Sequence, residues 1–326
     1  MNELVSLITP CYNSEAYVSR LLDSVMSQDY PKIEMIAVDD ESTDGTVDII
    51  QSYVPLFEKK GFTLTLLRQN HSGQSEAINL ALKHVSGKYL AWPDSDDFYS
   101  KPNSISKLVS ALKLSDKTVG AVRCLPCYVD ENGKITEDLK HKEYNFDKEW
   151  LFEDAAKENN GFRYLSGGFM VKMDAFDKCT HNRSISTARN AGQNYQLLLP
   201  ILHDFKCITV KEQLITIVIR SDSHSRGQYS TFTEMQIRLN DFKKVYEETI
   251  DSIKGIDDID KDRIKSEYNL RIDLLLFSFA KKLRCAQQIR IHRNKLMRSG
   301  VHISVKENLL YYLTFLPGGD KLIKMI

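Results

Sequence analysis

This sequence predicts an α/β fold: a doubly wound, mostly parallel sheet in the front of the chain and a helical region behind it. Three observations point there. Short apolar runs alternate with helical periods over the first hundred residues, each run stops at a polar cluster, and strand signals vanish after Gly227. Apolar runs closed by turn residues read as strands, and apolar positions three and four apart read as helices. A β-α-β-α order implies right-handed crossovers and a parallel sheet, with ligands bound beyond the carboxyl ends of the strands.

Taken in order, residues 4–9, 33–38, 62–67 and 89–92 are the expected strands. Helices are expected over 16–28, 46–60, 74–85 and 104–114, the first gathering Val18, Leu21, Leu22, Val25 and Met26 on one face. Further strands are expected at 119–129 and 164–171, with a charged linker near 130–148 between them. A helix over about 188–202 and a β-rich stretch at 207–219 follow. Residues 232–252 and 260–298 are helical in period, rich in Lys, Glu and Asp. The expected organisation is therefore a domain at 1–227, whose halves divide near residue 100, and a helical extension at 228–326.

Lys plus Arg equals Asp plus Glu at 44 each, so net charge names no partner. Charge is unevenly placed, however: residues 281–298 hold seven Lys or Arg and no acid, and 247–273 is acid-rich. Six cysteines without framework spacing point to reduced thiols and a cytoplasmic setting. Cys124 and Cys127 form a single CxxC, whereas a zinc knuckle needs a second close pair. No signal-peptide pattern opens the chain, and the longest strongly apolar run, 309–316, falls short of the roughly 20 residues that span a bilayer. Neither secretion nor an integral membrane protein is expected.

The polar clusters after the strands carry the chemistry. Strand one ends in Thr9-Pro10-Cys11-Tyr12-Asn13, a turn into a helix whose unpaired amides suit an anion or a base edge, or which is simply capped by Asn13 or Ser14. Strand two ends in Asp39-Asp40-Glu41-Ser42-Thr43-Asp44, four acids in six residues. Two like charges 4 Å apart cost about 4 kcal/mol at an effective dielectric near 20. Such acids point to solvent, cap the next helix, or accept bonds from a ligand. Strand four ends in Asp94-Ser95-Asp96-Asp97, where paired carboxylates offer hard oxygens to one Mg²⁺ or Mn²⁺ and, through it, to a diphosphate.

Together with Asn70, Gly73, Ala77 and Asn79, these clusters resemble the inverting glycosyltransferases of family 2, which have the GT-A fold. The resemblance is strongest over residues 1–100 and continues to about 226. It implies that Thr9, Pro10 and Tyr12 line a nucleotide pocket, that Asp40 meets the base, and that Asn70, Gly73 and Asn79 flank nucleotide and sugar. Asp94, Asp96 and Asp97 would hold Mn²⁺ or Mg²⁺ and the diphosphate. Gly167 and Gly168 resemble a strand on the acceptor side. The segment from Arg220 to Arg226 resembles a loop whose His224 completes the metal shell and whose Arg226 holds a phosphate. The implied reaction moves a sugar from a nucleotide diphosphate, UDP first among them, to a glycan or lipid-linked hydroxyl, as in surface-polysaccharide assembly.

One position departs from that pattern. The family carries Glu-Asp near residue 193, its Asp acting as base, and this chain reads Gln193-Asn194. A positioned base is worth about 10²–10⁴-fold. Asp222, Asp204 or Glu153 would have to replace it, or the amides only orient the acceptor, or the protein binds without turnover. A nucleotidyltransferase is the other enzyme class considered; it wants a Gly-rich basic loop after strand one, which 11–15 lacks. At the far end, residues 281–326 combine Lys and Arg with Leu309, Leu310, Leu313, Phe315 and Leu316. They suit either packing or peripheral contact with anionic lipid at the inner membrane face. Nucleic acid is not expected, since no stacking aromatics interleave the basic run.

Overall fold

A computed structural model describes residues 2–136, 144–188, 192–220 and 229–315. The chain divides into two compact units, Met1–Ser223 with Ser252–Lys254, and His224–Asp251 with Gly255–Ile326.

Within the first unit eight strands form one sheet in the order β3-β2-β1-β4-β7-β6-β8-β5. They are β1 (Val5–Cys11), β2 (Ile33–Asp39), β3 (Thr63–Arg68), β4 (Tyr89–Ala91), β5 (Phe98–Tyr99), β6 (Val119–Asp130), β7 (Phe169–Lys172) and β8 (Lys206–Ile219). β1 runs parallel to β2 and β4, and β2 to β3, so the carboxyl ends of all four share one edge. β6 and β8 are also parallel, while β7 runs antiparallel to β4 and β6, and β5 antiparallel to β8. β1 is buried on both faces, as a central parallel strand should be, and is apolar accordingly.

Helices α1 (Val18–Met26), α2 (Thr46–Lys60), α3 (Gln74–Leu82) and α4 (Ser104–Leu114) follow where the periodicity put them. On α1, Val18, Leu21, Leu22 and Val25 are fully buried, in one core cluster with Val5 and Leu7 of β1. Each such side chain contributes roughly 1.5–3 kcal/mol. The later helices of this unit are α5 (Phe152–Lys157), α6 (Met173–Cys179) and α7 (Asn194–Asp204).

Two boundaries of this unit differ from expectation by more than three residues. The helix expected from about 188 begins only at Asn194, after Gly192, whose residue type disfavours helix. The strand expected from 164 begins only at Phe169, because residues 165–168 form a turn with Gly167 at φ +68°. A Cβ on Gly167 would lie 3.0 Å from Pro93 Cβ and 3.1 Å from Ile215 Cδ1. Both strain and crowding oppose a side chain there, so Gly167→Ala is expected to lose at least about 1–2 kcal/mol in denaturant unfolding. An unchanged midpoint would reject this tight approach of the turn to the Pro93 segment.

The second unit contains α8 (Phe232–Ser252), α9 (Asp258–Lys282), α10 (Ala286–Arg298) and α11 (Val305–Leu313). The long helix expected at 260–298 is thus two, broken where Arg284 adopts φ +57°. No glycine or proline marks that break in the sequence. Lys281 and Lys282 fall in the last turn of α9, where cations offset the helix dipole. Tyr246 and Tyr268 stack at 3.7 Å between α8 and α9. No helix among the described residues is long and apolar enough to cross a membrane.

Candidate active site

The shared edge of β1, β2, β3 and β4 delivers residues 12–15, 40–45, 69–73 and 92–97 to one place, and side chains knit these turns together. Asn13 takes φ +46°, and its amide donates to Ser42 Oγ at 3.0 Å. Asn13 Oδ1 accepts from the Thr43 amide at 2.9 Å, while the Ser14 amide donates to Thr46 Oγ1 at 2.7 Å. Ser14 and Ser95 hydroxyls meet at 2.8 Å, tying the first turn to the fourth. Capping of α1 by Asn13 or Ser14 is not what occurs: Tyr17 is the N-cap residue and offers no side-chain bond.

The crowded acids after β2 are stabilised by backbone amides. Asp39 accepts from the Ser42 amide at 3.2 Å and pairs with Arg68 Nε at 3.4 Å. Glu41, at φ +66°, accepts from the His71 amide at 2.9 Å. Asp44 accepts from the amides of Thr46 at 3.0 Å and Glu15 at 3.1 Å.

Asp40 is the most committed of the four. Its Oδ1 accepts from the Ser72 amide at 2.8 Å and Gln69 Nε2 at 2.7 Å. Its Oδ2 accepts from the Gly73 amide at 2.9 Å and faces His71 Nδ1 at 3.2 Å. A carboxylate has about four lone-pair sites, and all are taken. This carboxylate shapes the 69–73 turn.

Two further residues of the family pattern also bond within the fold. Thr9 is fully buried and donates through Oγ1 to the Pro93 carbonyl at 3.0 Å, so it braces β1 against the acid turn. Asn79 exchanges both its amide bonds with the backbone of Ile185, at 2.9 and 2.8 Å, and clasps a segment 106 residues away. Pro10 is partly buried, and Asn70 is exposed with its carbonyl accepting from Ser72 Oγ. Tyr12 is 42% exposed and its ring lies 4.5 Å from that of His71. Gly73, at φ +94°, opens α3, whose first residue Gln74 donates to Asp94 Oδ1 at 3.2 Å. Adjacent residues 73 and 74 thereby join Asp40 to Asp94 in one cleft.

Asp94, Asp96 and Asp97 bring one oxygen each within 4.8 Å of one another, the one such group of ligand-bearing side chains found among the described residues. Asp97 is buried and accepts from the Val218 amide at 3.0 Å. Arg220 Nε stands 3.0 Å from Asp96 Oδ2, with its guanidinium 4.4 Å above the Tyr17 ring. Burial, then the charge of Asp96, pushes the Asp94 carboxyl up to about 7, against opposing bonds and charge from Ser166, Arg220 and Gln74. Burial, then Asp96 and Asp94, drives Asp97 well above the ordinary carboxylate range. Three hard oxygens that resist joint ionisation in their own company fit a divalent cation, which would relieve that repulsion.

On the far wall, the Asn194 carboxamide oxygen accepts from Trp92 Nε1 at 2.8 Å and Ser166 Oγ at 3.1 Å. Buried Gln193 reaches to 3.5 Å from Asp94 Oδ1. Gly168 follows Gly167 in the turn whose backbone approaches Pro93. Of the described candidates for a replacement base, Asp204 stands at the far end of α7, roughly 15 Å along the helix from Asn194, bonded to His203 at 2.8 Å. Glu153 is paired with Lys157 at 3.1 Å. Asp222, His224 and Arg226 lie outside the described residues. Gln69 and His71 were passed over in sequence because polar turn residues carry no periodic signal, and Trp92 because it read as the last residue of an apolar strand.

Carboxylates gathered beyond the carboxyl ends of parallel strands, beside a helix N-terminus, mark the ligand-binding edge of an α/β protein. The sequence pattern of glycosyl transferase family 2 matches residues 6–180, and the chain belongs to that family. It is 46% identical over 98 residues to the putative teichuronic acid biosynthesis glycosyltransferase TuaG of Bacillus subtilis, covering 30% of this chain and 38% of that one. It is 40% identical over 98 residues to the poly(ribitol-phosphate) beta-N-acetylglucosaminyltransferase TarS of Staphylococcus aureus, covering 29% of this chain and 17% of TarS. The chain thus matches well under half the length of either. The crystal structure of TarS 1-349 in complex with UDP-GlcNAc superposes with a TM-score of 0.60 at 18% identity, over 98% of this chain and 83% of that one. The mannosyltransferase PcManGT from Pyrobaculum calidifontis, in complex with GDP-Man and Mn²⁺, gives 0.56 at 16% identity, over 100% and 84%. The fold is GT-A.

Proposed function

We propose that this chain transfers a glycosyl group, with inversion, from a nucleoside-diphosphate sugar to a hydroxyl of a glycan or lipid-linked acceptor, in the assembly of a surface polysaccharide or glycolipid. The observation that carries this reading is the triad of Asp94, Asp96 and Asp97 within 4.8 Å at the edge where four parallel strands end. TarS, solved with UDP-GlcNAc, favours UDP among donors. Mn²⁺ or Mg²⁺ held by the triad, with His224 as a further ligand, would neutralise charge developing on the diphosphate leaving group. Thr9, Pro10 and Tyr12 would line the nucleotide pocket, Asp40 would meet the base, Asn70, Gly73 and Asn79 would flank nucleotide and sugar, Arg226 would hold a phosphate, and Gln193, Asn194, Gly167 and Gly168 would face the acceptor. Residues 1–227 would form the catalytic domain. Residues 281–326 of the helical extension at 228–326 would touch anionic lipid at the cytoplasmic membrane face. A second reading, a silent nucleotide-sugar-binding subunit, is favoured by the amides of Gln193 and Asn194, which offer no base.

Calorimetry with UDP-sugars and Mn²⁺ tests the donor reading, and failure to bind any nucleotide sugar removes it. The triad adds a pH signature. A carboxyl raised in the folded state from about 3.9 binds a proton that the unfolded chain has released. Without cation, the stability linked to Asp94 is therefore greatest at low pH and is lost as pH rises towards about 7. Cation binding needs the ionised form, so Mn²⁺ affinity is expected to rise with pH and level off above about 7. A flat affinity across that range would exclude Asp94 as a ligand.

A further inference from the structure

The last described helix, α11, turns an apolar stripe to solvent. A capping box starts it: Ser304 Oγ accepts from the Glu307 amide, and the Glu307 carboxylate accepts from the Ser304 amide. One side of the helix is fastened to its neighbours. Glu307 pairs with Lys281 of α9, and Asn308 Oδ1 accepts from Arg293 of α10 at 2.6 Å. The same guanidinium lies 4.0 Å from the centre of the Tyr311 ring. Val305, Tyr312 and Phe315 are left outside, 86%, 61% and 56% exposed. Val305 and Tyr312 share a helix face, and Phe315 closes the last turn, its amide donating to the Tyr312 carbonyl at 3.1 Å.

The uncompensated charge beside this stripe is cationic. Among the seven Lys and Arg of 281–298, Lys281, Arg293 and Lys295 are engaged with Glu307, Asn308 and Asp273. Lys282, Arg284, Arg290 and Arg298 have no carboxylate partner among the described residues, and Arg290 lies 5.0 Å from the centre of the Phe315 ring. A second copy is a poor occupant, since a twofold pairing here would bring Arg290 of both molecules together. An anionic bilayer fits both features, because aromatic rings settle at the headgroup level and cations meet lipid phosphates.

We propose that Val305, Tyr312 and Phe315 enter the headgroup–acyl boundary of a bilayer rich in anionic phospholipid, with Arg290 on the phosphates beside Phe315. This inference rests on the reading of residues 281–326 as lipid-facing. It adds a buried apolar contact, which outlasts the screening of charge by salt.

The full chain is expected to sediment with vesicles of phosphatidylcholine and phosphatidylglycerol more than with phosphatidylcholine alone, and salt should weaken that binding without abolishing it. Tyr312→Ser combined with Phe315→Ser should weaken it at least about tenfold, the scale of burying one large apolar side chain. Arg290→Gln should weaken it about fivefold, and only on the anionic vesicles. Phe315→Trp keeps an aromatic ring, and its added indole fluorescence should be quenched by lipids brominated in the upper acyl chain. Binding that the serine pair leaves unchanged, or an indole that brominated lipid does not quench, overturns the aromatic contact and leaves the broader lipid reading standing. Absence of binding to the mixed vesicles overturns both. A dimer in light scattering that the serine pair splits assigns the stripe to a second copy instead.

Discussion

Asp96→Ala is expected to abolish sugar transfer while leaving the cation-free protein at least as stable as the wild type. The charge of Asp96 is a named cause of the upward shift in both Asp94 and Asp97, so its removal relieves two buried neighbours. The pair lost with Arg220 leaves no isolated charge, because the guanidinium also acts on Asp94 and Asp97. Transfer is different. A ligand to a cation that stabilises a leaving diphosphate is worth several kcal/mol, or roughly 10³-fold in rate. Thermal unfolding in chelator should therefore show an equal or higher midpoint, and a transfer assay with Mn²⁺ should show no turnover. Undiminished transfer would refute the assignment of Asp96 to the cation.

The fold was legible because its signal is periodic. Residues 46–60 and 104–114 run as helices over the limits their apolar spacing gives, and β2 extends one residue beyond the expected 33–38. The acid triad was legible for a related reason: a strand end followed by D-x-D-D puts carboxylates at the edge where parallel sheets bind ligands. What sequence could not show is which polar atoms are already used. Thr9, Asp40 and Asn79 all sit in motif positions, yet each bonds to backbone 32 to 106 residues away. Such bonds depend on tertiary approach and leave no local pattern. The same holds for Gly167, whose need for a bare Cα arises from Pro93 and Ile215 across the sheet.

Asn194 shows how structure refines a missing carboxylate. Its Oδ1 alone takes both donors, the indole N–H of fully buried Trp92 and the hydroxyl of Ser166. Asn194→Ala would orphan the indole N–H, and a loss of about 1–3 kcal/mol is expected in chemical denaturation. Asn194→Asp keeps an oxygen for both donors and replaces the amide nitrogen with a second oxygen, a proton acceptor where the wild type has none. Its fold should therefore survive although a further negative charge joins Asp94 nearby. If the acceptor hydroxyl loses its proton at this wall, transfer per bound donor should rise towards the 10²-fold lower bound, in order of magnitude about what a positioned base contributes. Transfer rates for wild type and the two variants, measured at saturating nucleotide sugar, separate the roles. A rate unchanged or lowered in Asn194→Asp would show that the proton leaves elsewhere and that Asn194 serves only to hold Trp92 and α7 in register.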